Sequence, residues 1–342
     1  AAVAALLRRV PARTTTLRAA ALCGAARLAR SRDKLRVAVA AAAATTVLRG
    51  TGVSRCAAAL DAPVPPPLPE EEPGAVIIGG GRVGEALYGM GVGKDVIVRR
   101  GEPFPDNMPE GPIYVCTRND ALKGIIDSIP EGRREDLVFI QNGALLPFLK
   151  KELGPTTPFT VLLVYFAVAK KGEAPIDGRT DTDPDGMTAV NADGKWSGEV
   201  QERLTTSGLA CNVLPPVSFT QAYWEKNLWI SAYMLVGALH DGCYVGDVEL
   251  QHRQEVDNLI SELATAVTAA NPDVLWERGQ LCERLAAYSR SVAHFPTAVK
   301  EFEWRNGAFY NFTLMARAAG RPDPCPLHTA GLEKVGALPQ AA

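Results

Sequence analysis

The sequence predicts an α/β fold in which parallel strand and helix units are followed by a mainly helical second part. Three features predict it. Short β-rich runs recur at Ala75 to Ile78, Asp95 to Val98, Ile113 to Cys116 and Leu137 to Ile140, with helical stretches between them. A glycine-rich turn leads from the first of these runs into a short helix that reaches about Met90. Farther on, Val256, Leu259, Ile260, Leu263 and Val267 mark one helical face at spacings of three and four, and Asn271-Pro272 stops that helix.

Length and composition fix the frame for these elements. The 342 residues are 47% hydrophobic and 22% charged, a balance typical of a soluble globular protein that can bury a full core. The net charge of −2 hides an asymmetry. Residues 1 to 60 hold eleven Lys or Arg and one acid, Asp33, while residues 61 to 342 hold 25 basic against 37 acidic groups, a net of −12. The first sixty residues, rich in Ala and Arg and poor in acid, have the composition of an organellar targeting peptide. A plastid is the favoured destination and a mitochondrion the alternative. The apolar run Val37 to Leu48 is well short of the roughly 20 residues that span a bilayer. The plain alternative for this segment is a basic, alanine-rich surface helix. The chain opens on Ala1 without a Met, which is consistent with further residues upstream.

A proline-rich linker, APVPPPLPEEEP, follows within residues 61 to 73, so folding is expected to begin near Gly74. A dinucleotide-binding domain is expected from about 74 to 160 and a helical domain from 161 to 335. The apolar run Thr160 to Ala169 is followed by a polar loop, Lys170 to Asp185, and then by a hairpin-like segment turning at Asp193-Gly194. A last long helix is expected from about Thr297 to Ala319, ended by Gly320 and Pro322. The seven cysteines (Cys23, Cys56, Cys116, Cys211, Cys243, Cys282, Cys325) form no CxxC pair and read as reduced, mostly buried thiols. The histidines His240, His252, His294 and His328 are not read as ligand pairs, and no metal is expected. The acidic balance of the folded part argues against a nucleic-acid partner.

The sharpest local signal is AVIIGGGRVGEAL, where a strand run enters Gly79-x-Gly81-x-x-Gly84 and then a helix. Gly79 permits a tight turn, Gly81 lets backbone approach a pyrophosphate, and Gly84 lets the helix pack close to the strand. The helix N-terminus, with Arg82 and Val83, presents free N–H groups to phosphate. This is the Rossmann-type signature of a dinucleotide cofactor. Where such a fold that binds NAD carries an acid at the end of its second strand, this chain has Arg99 and Arg100. Two guanidinium groups suit a 2′-phosphate, so NADP(H) is the expected cofactor. Arg118, past the third strand, could add another positive charge. The plain alternative is three exposed surface arginines.

Beyond the loop, several segments resemble the ketopantoate reductases, reductases built of a Rossmann domain and a helical domain. GGGRVG is similar to their cofactor loop. FIQNG, with Asn142 and Gly143, is similar to a segment whose Asn lies near nicotinamide and substrate. YWEK, with Lys226, resembles the start of the catalytic helix, whose lysine donates the proton. KEFEWRNG, with Glu301 and Asn306-Gly307, resembles their E-x-D-x-x-N-G, and Ser289 stands where they carry a substrate-binding serine. The resemblance thus implies catalytic roles for Lys226, Asn142, Glu301 and Ser289, a small-molecule substrate of the 2-ketoacid type, and room for a homodimer through the helical domain. Two departures stand out. Ile230 and Met234 occupy positions where the family uses Asn to hold substrate, and the stretch from Arg100 to Ile113 is short.

The chemistry implied is consistent with the residues. Hydride transfer to a ketone builds charge on the carbonyl oxygen, which needs a positioned proton donor. A lysine between Trp224 and Trp229 on an apolar helix would be desolvated and its pKa lowered. Simpler readings are a surface lysine at YWEK and an i,i+4 pair of Glu301 with Arg305. At the level of function, the alternatives are a non-catalytic dinucleotide-binding scaffold, which Ile230 and Met234 favour, and a reductase acting on a less polar ketone or imine.

Overall fold

The computed structural model describes residues 74–338 apart from Val92 and Asp106. The expected targeting peptide and proline-rich linker lie outside the described residues. Seven strands form one sheet: β1 (Val76–Ile78), β2 (Val96–Val98), β3 (Ile113–Val115), β4 (Leu137–Phe139), β5 (Thr160–Leu163), β6 (Ala189–Asn191) and β7 (Asn212–Leu214). Their spatial order is β2-β1-β3-β4-β5-β6-β7, and every neighbouring pair is parallel except β5 with β6. The crossovers carry α1 (Arg82–Gly89), α2 (Leu122–Ser128), α3 (Leu145–Leu153) and α4 (Ser197–Thr206).

Strand periodicity assigns the two faces. Val76, Ile113, Val115, Phe139, Val161 and Leu163 enter one apolar cluster, while their alternating neighbours Ala75, Ile77, Tyr114, Val138 and Leu162 enter another with Leu87, Val200 and Leu204. Both faces are covered, which is why these runs are apolar throughout rather than alternating with polar residues. The four sequence-expected strands appear, each about one residue shorter at one end.

The second half differs from expectation in three places. The sheet runs on past residue 160 through β5 to β7. Asp193-Gly194 does not close a hairpin: β6 and β7 are parallel and α4 crosses between them. The Ser197 hydroxyl donates to the carbonyls of Asn191 and Gly194, which draws the turn into the start of α4 instead of back along β6. The last long helix also starts late, because Glu301 takes a left-handed conformation (φ 48°) and a 3-10 turn, Phe302–Trp304, precedes α9 (Asn306–Ala318). Gly320, at φ 64°, does follow its end.

The helical part is built round α5 (Pro216–Leu239), buried from Glu225 to Gly237. α6 (Val245–Gln251), α7 (Arg253–Ala270), α8 (Arg278–Ser291) and α10 (Pro326–Lys334) complete it. A helix apolar on all sides must lie in the interior, and α5 packs both on the sheet and on its helical neighbours. All five residues of the expected helical stripe are buried on α7, with Asn271 as its C-cap. No described helix is long and apolar enough to cross a membrane.

One buried ion pair ties the sheet to α4. The Asp95 carboxylate accepts from the Ala75 N–H at 2.8 Å and from Arg203 at 2.5 and 3.2 Å. Truncating one partner leaves an uncompensated buried charge. Asp95→Ala is therefore expected to cost about 3–5 kcal/mol in urea denaturation. A loss under about 1 kcal/mol would mean that Arg203 finds water or another acceptor.

Candidate active site

The sheet order reverses between β1 and β3, since β2 lies to one side of β1 and β3 to the other. In open α/β sheets such a switch point leaves a crevice beyond the carboxyl ends of the strands. The glycine loop follows β1 at this edge. Gly79 has φ 109°, and a Cβ there would meet the Cys116 carbonyl at the end of β3 at 2.6 Å. A Cβ on Gly84 would strike the Gly79 carbonyl oxygen, so α1 reaches the loop only because Gly84 lacks one. Gly81, by contrast, is exposed, and a Cβ there would meet nothing within 4 Å. Two glycines therefore serve packing, and the third leaves an open approach to the helix N-terminus.

Arg99 reaches over this loop: its Nη2 donates to Glu85 Oε1 at 3.1 Å, and a Cβ on Gly80 would collide with its guanidinium. Glu85 also pairs with Lys171 at 2.9 Å, and the two cations hold its carboxyl below the usual range. Arg82 donates to the carbonyls of Val168 and Ala169 at 3.1 and 2.9 Å, bringing the segment after β5 to the loop. Val83 is half-buried against the second apolar cluster. Arg100 is exposed with no ion-pair partner among the described residues, and Arg118 pairs with Asp120 on the surface at 2.5 Å. Lys171 was not anticipated. It sits in a polar loop with no local motif, and only the fold carries it to α1.

The same edge continues past β4. Gln141 Nε2 donates to the carbonyls of Val115 and Thr117 at 2.7 and 3.2 Å, stitching the ends of β3 and β4 together. The Asn142 carbonyl accepts from Asn119 at 2.8 Å, while its own amide has no hydrogen-bond partner among the described residues. Gly143, at φ 119°, lies against Trp304, whose carbonyl accepts from the Ala144 N–H at 2.6 Å. The segments FIQNG and KEFEWRNG, over 150 residues apart, are thus docked on each other. This docking explains why α9 starts only at Asn306: Phe302–Trp304 is turned toward residues 143 and 144.

Lys226 lies across from β5. Its Nζ donates to the Val164 carbonyl at 2.5 Å and stands 3.9 Å from the centre of the Tyr165 ring. Burial, with the nearby Arg305 guanidinium adding to it, lowers its pKa to about 7. Arg305 in turn pairs with Glu301 at 2.5 Å, its Nε buried without a partner, and burial lowers its own pKa. The anticipated Glu301 to Arg305 pair exists, but it spans a turn rather than a helix. Glu225, next to Lys226, faces away toward Arg284, and burial raises its pKa to about 7. Arg305 belongs to KEFEWRNG, yet nothing local marks it as a neighbour of Lys226.

No family model and no curated relative matches the chain. Among solved structures it is similar to D-mandelate dehydrogenase in a ternary complex with NADH and anilino(oxo)acetate, with a TM-score of 0.57 and 13% identity over 77% of this chain and 97% of that one. It is also similar to the probable 2-dehydropantoate 2-reductase of Bacillus subtilis, at a TM-score of 0.52 and 15% identity over 78% and 99% of the two chains. The dimeric ketopantoate reductase of Staphylococcus aureus matches at 0.51 and 15% over 77% and 99%. The chain has the ketopantoate reductase fold.

Three features bear on the resemblance drawn from the sequence. Ser289 is fully buried on α8, donating to the Leu285 carbonyl at 2.7 Å and accepting from Trp229 Nε1 at 2.8 Å. Its hydroxyl is thus engaged within the core by Trp229 and Leu285. Ile230 and Met234 are buried in the apolar cluster round α5. No helix occurs among the described residues between β2 and β3, so the crossover that the sequence suggested was short is a bare loop.

Burial of Lys226 has a consequence for stability. The unfolded chain holds that proton up to about pH 10.5, whereas the folded chain releases it near pH 7, so the fold gains stability as pH rises through this window. Lys226→Met removes the penalty. It is expected to stabilise the protein more at about pH 6 than at about pH 9, as measured by urea denaturation at both values. An equal effect at the two pH values would place the ammonium in water.

Proposed function

We propose that this chain is an NADP(H)-dependent reductase that transfers hydride to a 2-ketoacid-type carbonyl, with Lys226 as the proton donor. The observation that carries the reading is the position of the Lys226 amine. It lies at the carboxyl end of β5, on the sheet edge that also presents the glycine loop and Asn142. The solved structures with this fold named as reductases, and the D-mandelate dehydrogenase bound to NADH, support it.

The residues fit a dinucleotide. Gly79, Gly81 and Gly84, with the N–H groups of Arg82 and Val83, would receive the pyrophosphate, and Arg99, with Arg100, would receive a 2′-phosphate. Arg118 is the more distant contributor, held by Asp120. When bound, the reduced nicotinamide supplies the hydride. Lys226 gives its proton to the carbonyl oxygen, and with a pKa near 7 it is both charged and willing to release the proton at neutral pH. Asn142 offers its free amide to the substrate, and Glu301 holds Arg305 beside the lysine. The same reading assigns residues 1 to 60 to plastid targeting on composition and allows a homodimer through the helical part.

A second reading, a dinucleotide-binding scaffold without catalysis, is favoured by Ile230 and Met234 and by the bond that Lys226 already makes to Val164.

Two measurements test the reading. NADPH is expected to bind more tightly than NADH in a fluorescence titration, and Arg99→Ala with Arg100→Ala should lower NADPH affinity by about 1.5–3 kcal/mol per lost charged bond while sparing NADH. Equal affinity for both cofactors in the unaltered protein would remove the arginines from the site. Lys226→Ala is expected to slow NADPH-dependent ketone reduction by about two to four orders of magnitude with cofactor affinity retained. Cofactor binding without turnover across a ketone and imine screen would establish the scaffold.

A further inference from the structure

We propose that His240, His252 and Glu255 form a site for one divalent transition-metal ion of the zinc type. The three come from different places in the fold. His240 caps the C-terminus of α5, His252 stands in the break between α6 and α7, and Glu255 lies in the first turn of α7. One ligand atom from each, two ring nitrogens and a carboxylate oxygen, lies within 4.8 Å of the others. His240 Nε2 is already 2.7 Å from Glu255 Oε2, and the two imidazole rings stack with centroids 3.5 Å apart and planes 12° from parallel.

Three features point to a ligand rather than to an ordinary surface contact. Neither ring nitrogen of His252 has a hydrogen-bond partner among the described residues, so that ring keeps a lone pair uncommitted within the group. Nitrogen and oxygen ligands bind zinc at about 2.0–2.2 Å, which sets them roughly 3.3 Å apart, so closing on an ion asks the ligand atoms to approach by no more than about 1.5 Å, with one imidazole turning out of the stack so that both ring lone pairs meet the ion. All three side chains are half-buried or exposed, and the ion would take the place of the bond between His240 and Glu255. Two imidazoles with one carboxylate suit Zn²⁺ and its transition-metal neighbours, whereas Mg²⁺ and Ca²⁺ prefer all-oxygen sets. Three protein ligands leave the fourth position to water.

His240 lies fourteen residues beyond Lys226 on one helix, about 21 Å at 1.5 Å per residue, so the ion takes no part in chemistry at that lysine. It joins the end of α5 to the start of α7. Binding to the folded chain alone raises stability by mass action.

The test is calorimetric titration of the full chain with ZnCl₂, alongside Co²⁺ absorption and thermal unfolding. Saturable binding of one equivalent is expected, with a rise in Tm and Co²⁺ bands lacking thiolate charge transfer. His252→Ala and His240→Ala should each weaken binding by about tenfold or more, with circular dichroism reporting an intact fold. Glu255→Gln should weaken it while leaving both histidines in place. No saturable binding, affinity unchanged in the two histidine variants, or a thiolate band that assigns the ion to cysteine would each overturn the proposal.

Discussion

The organisation of the molecule depends on how α5 can bury two adjacent ionisable groups. Charges taken out of water are tolerated only where partners answer them. Glu225 and Lys226 follow each other on a helix buried along most of its length, so their side chains leave in different directions. Lys226 reaches the sheet at Val164 and the face of Tyr165. Glu225 reaches Arg284 on α8, which also binds Asp183 at 2.7 Å. A single helical turn thus fastens the sheet, α8 and the polar loop after β5 to one another.

Burial pushes both groups toward neutrality, Lys226 from above and Glu225 from below, and each arrives near pH 7. Among the described residues the lysine has a carbonyl and an aromatic face as its partners, with Arg305 close enough to add repulsion. Excess positive charge at a site walled by apolar residues is a preorganised place for a developing anion. That is the physical content of the reductase reading.

The crevice is built on a second constraint, close approach of backbone. Gly84 lets α1 touch the loop, Gly79 lets the loop touch β3, and Gly143 lets the loop after β4 touch Trp304. Each contact tolerates no Cβ. Together they hold the ends of β1, β3 and β4 and the 301–307 segment in register along one edge, while Gly81 stays open. Arg99, Lys171 and Glu85 then form a charged rim on the loop.

Much of this was legible in the sequence where the determining physics is local. Strand runs, the glycine turn and the stripe of α7 follow from backbone geometry and periodicity within a few residues, and the structure reproduces them. The burial of Lys226 was only partly readable: the apolar helix round it spoke for a desolvated lysine, YWEK alone for a surface one, and the structure buries it against Val164 and Tyr165. What the tertiary structure alone decided is which distant groups meet. The resemblance implies a substrate-binding role for Ser289, and the fold gives its hydroxyl a bond from Trp229 on another helix. Asp193-Gly194 has hairpin chemistry, yet the sheet needs β7 parallel to β6 and sends the chain through a helix instead. Arg305 against Lys226, Lys171 against Glu85, and His240 against His252 are pairings between elements. Their energies come from burial and distance in space, which spacing along the chain does not encode.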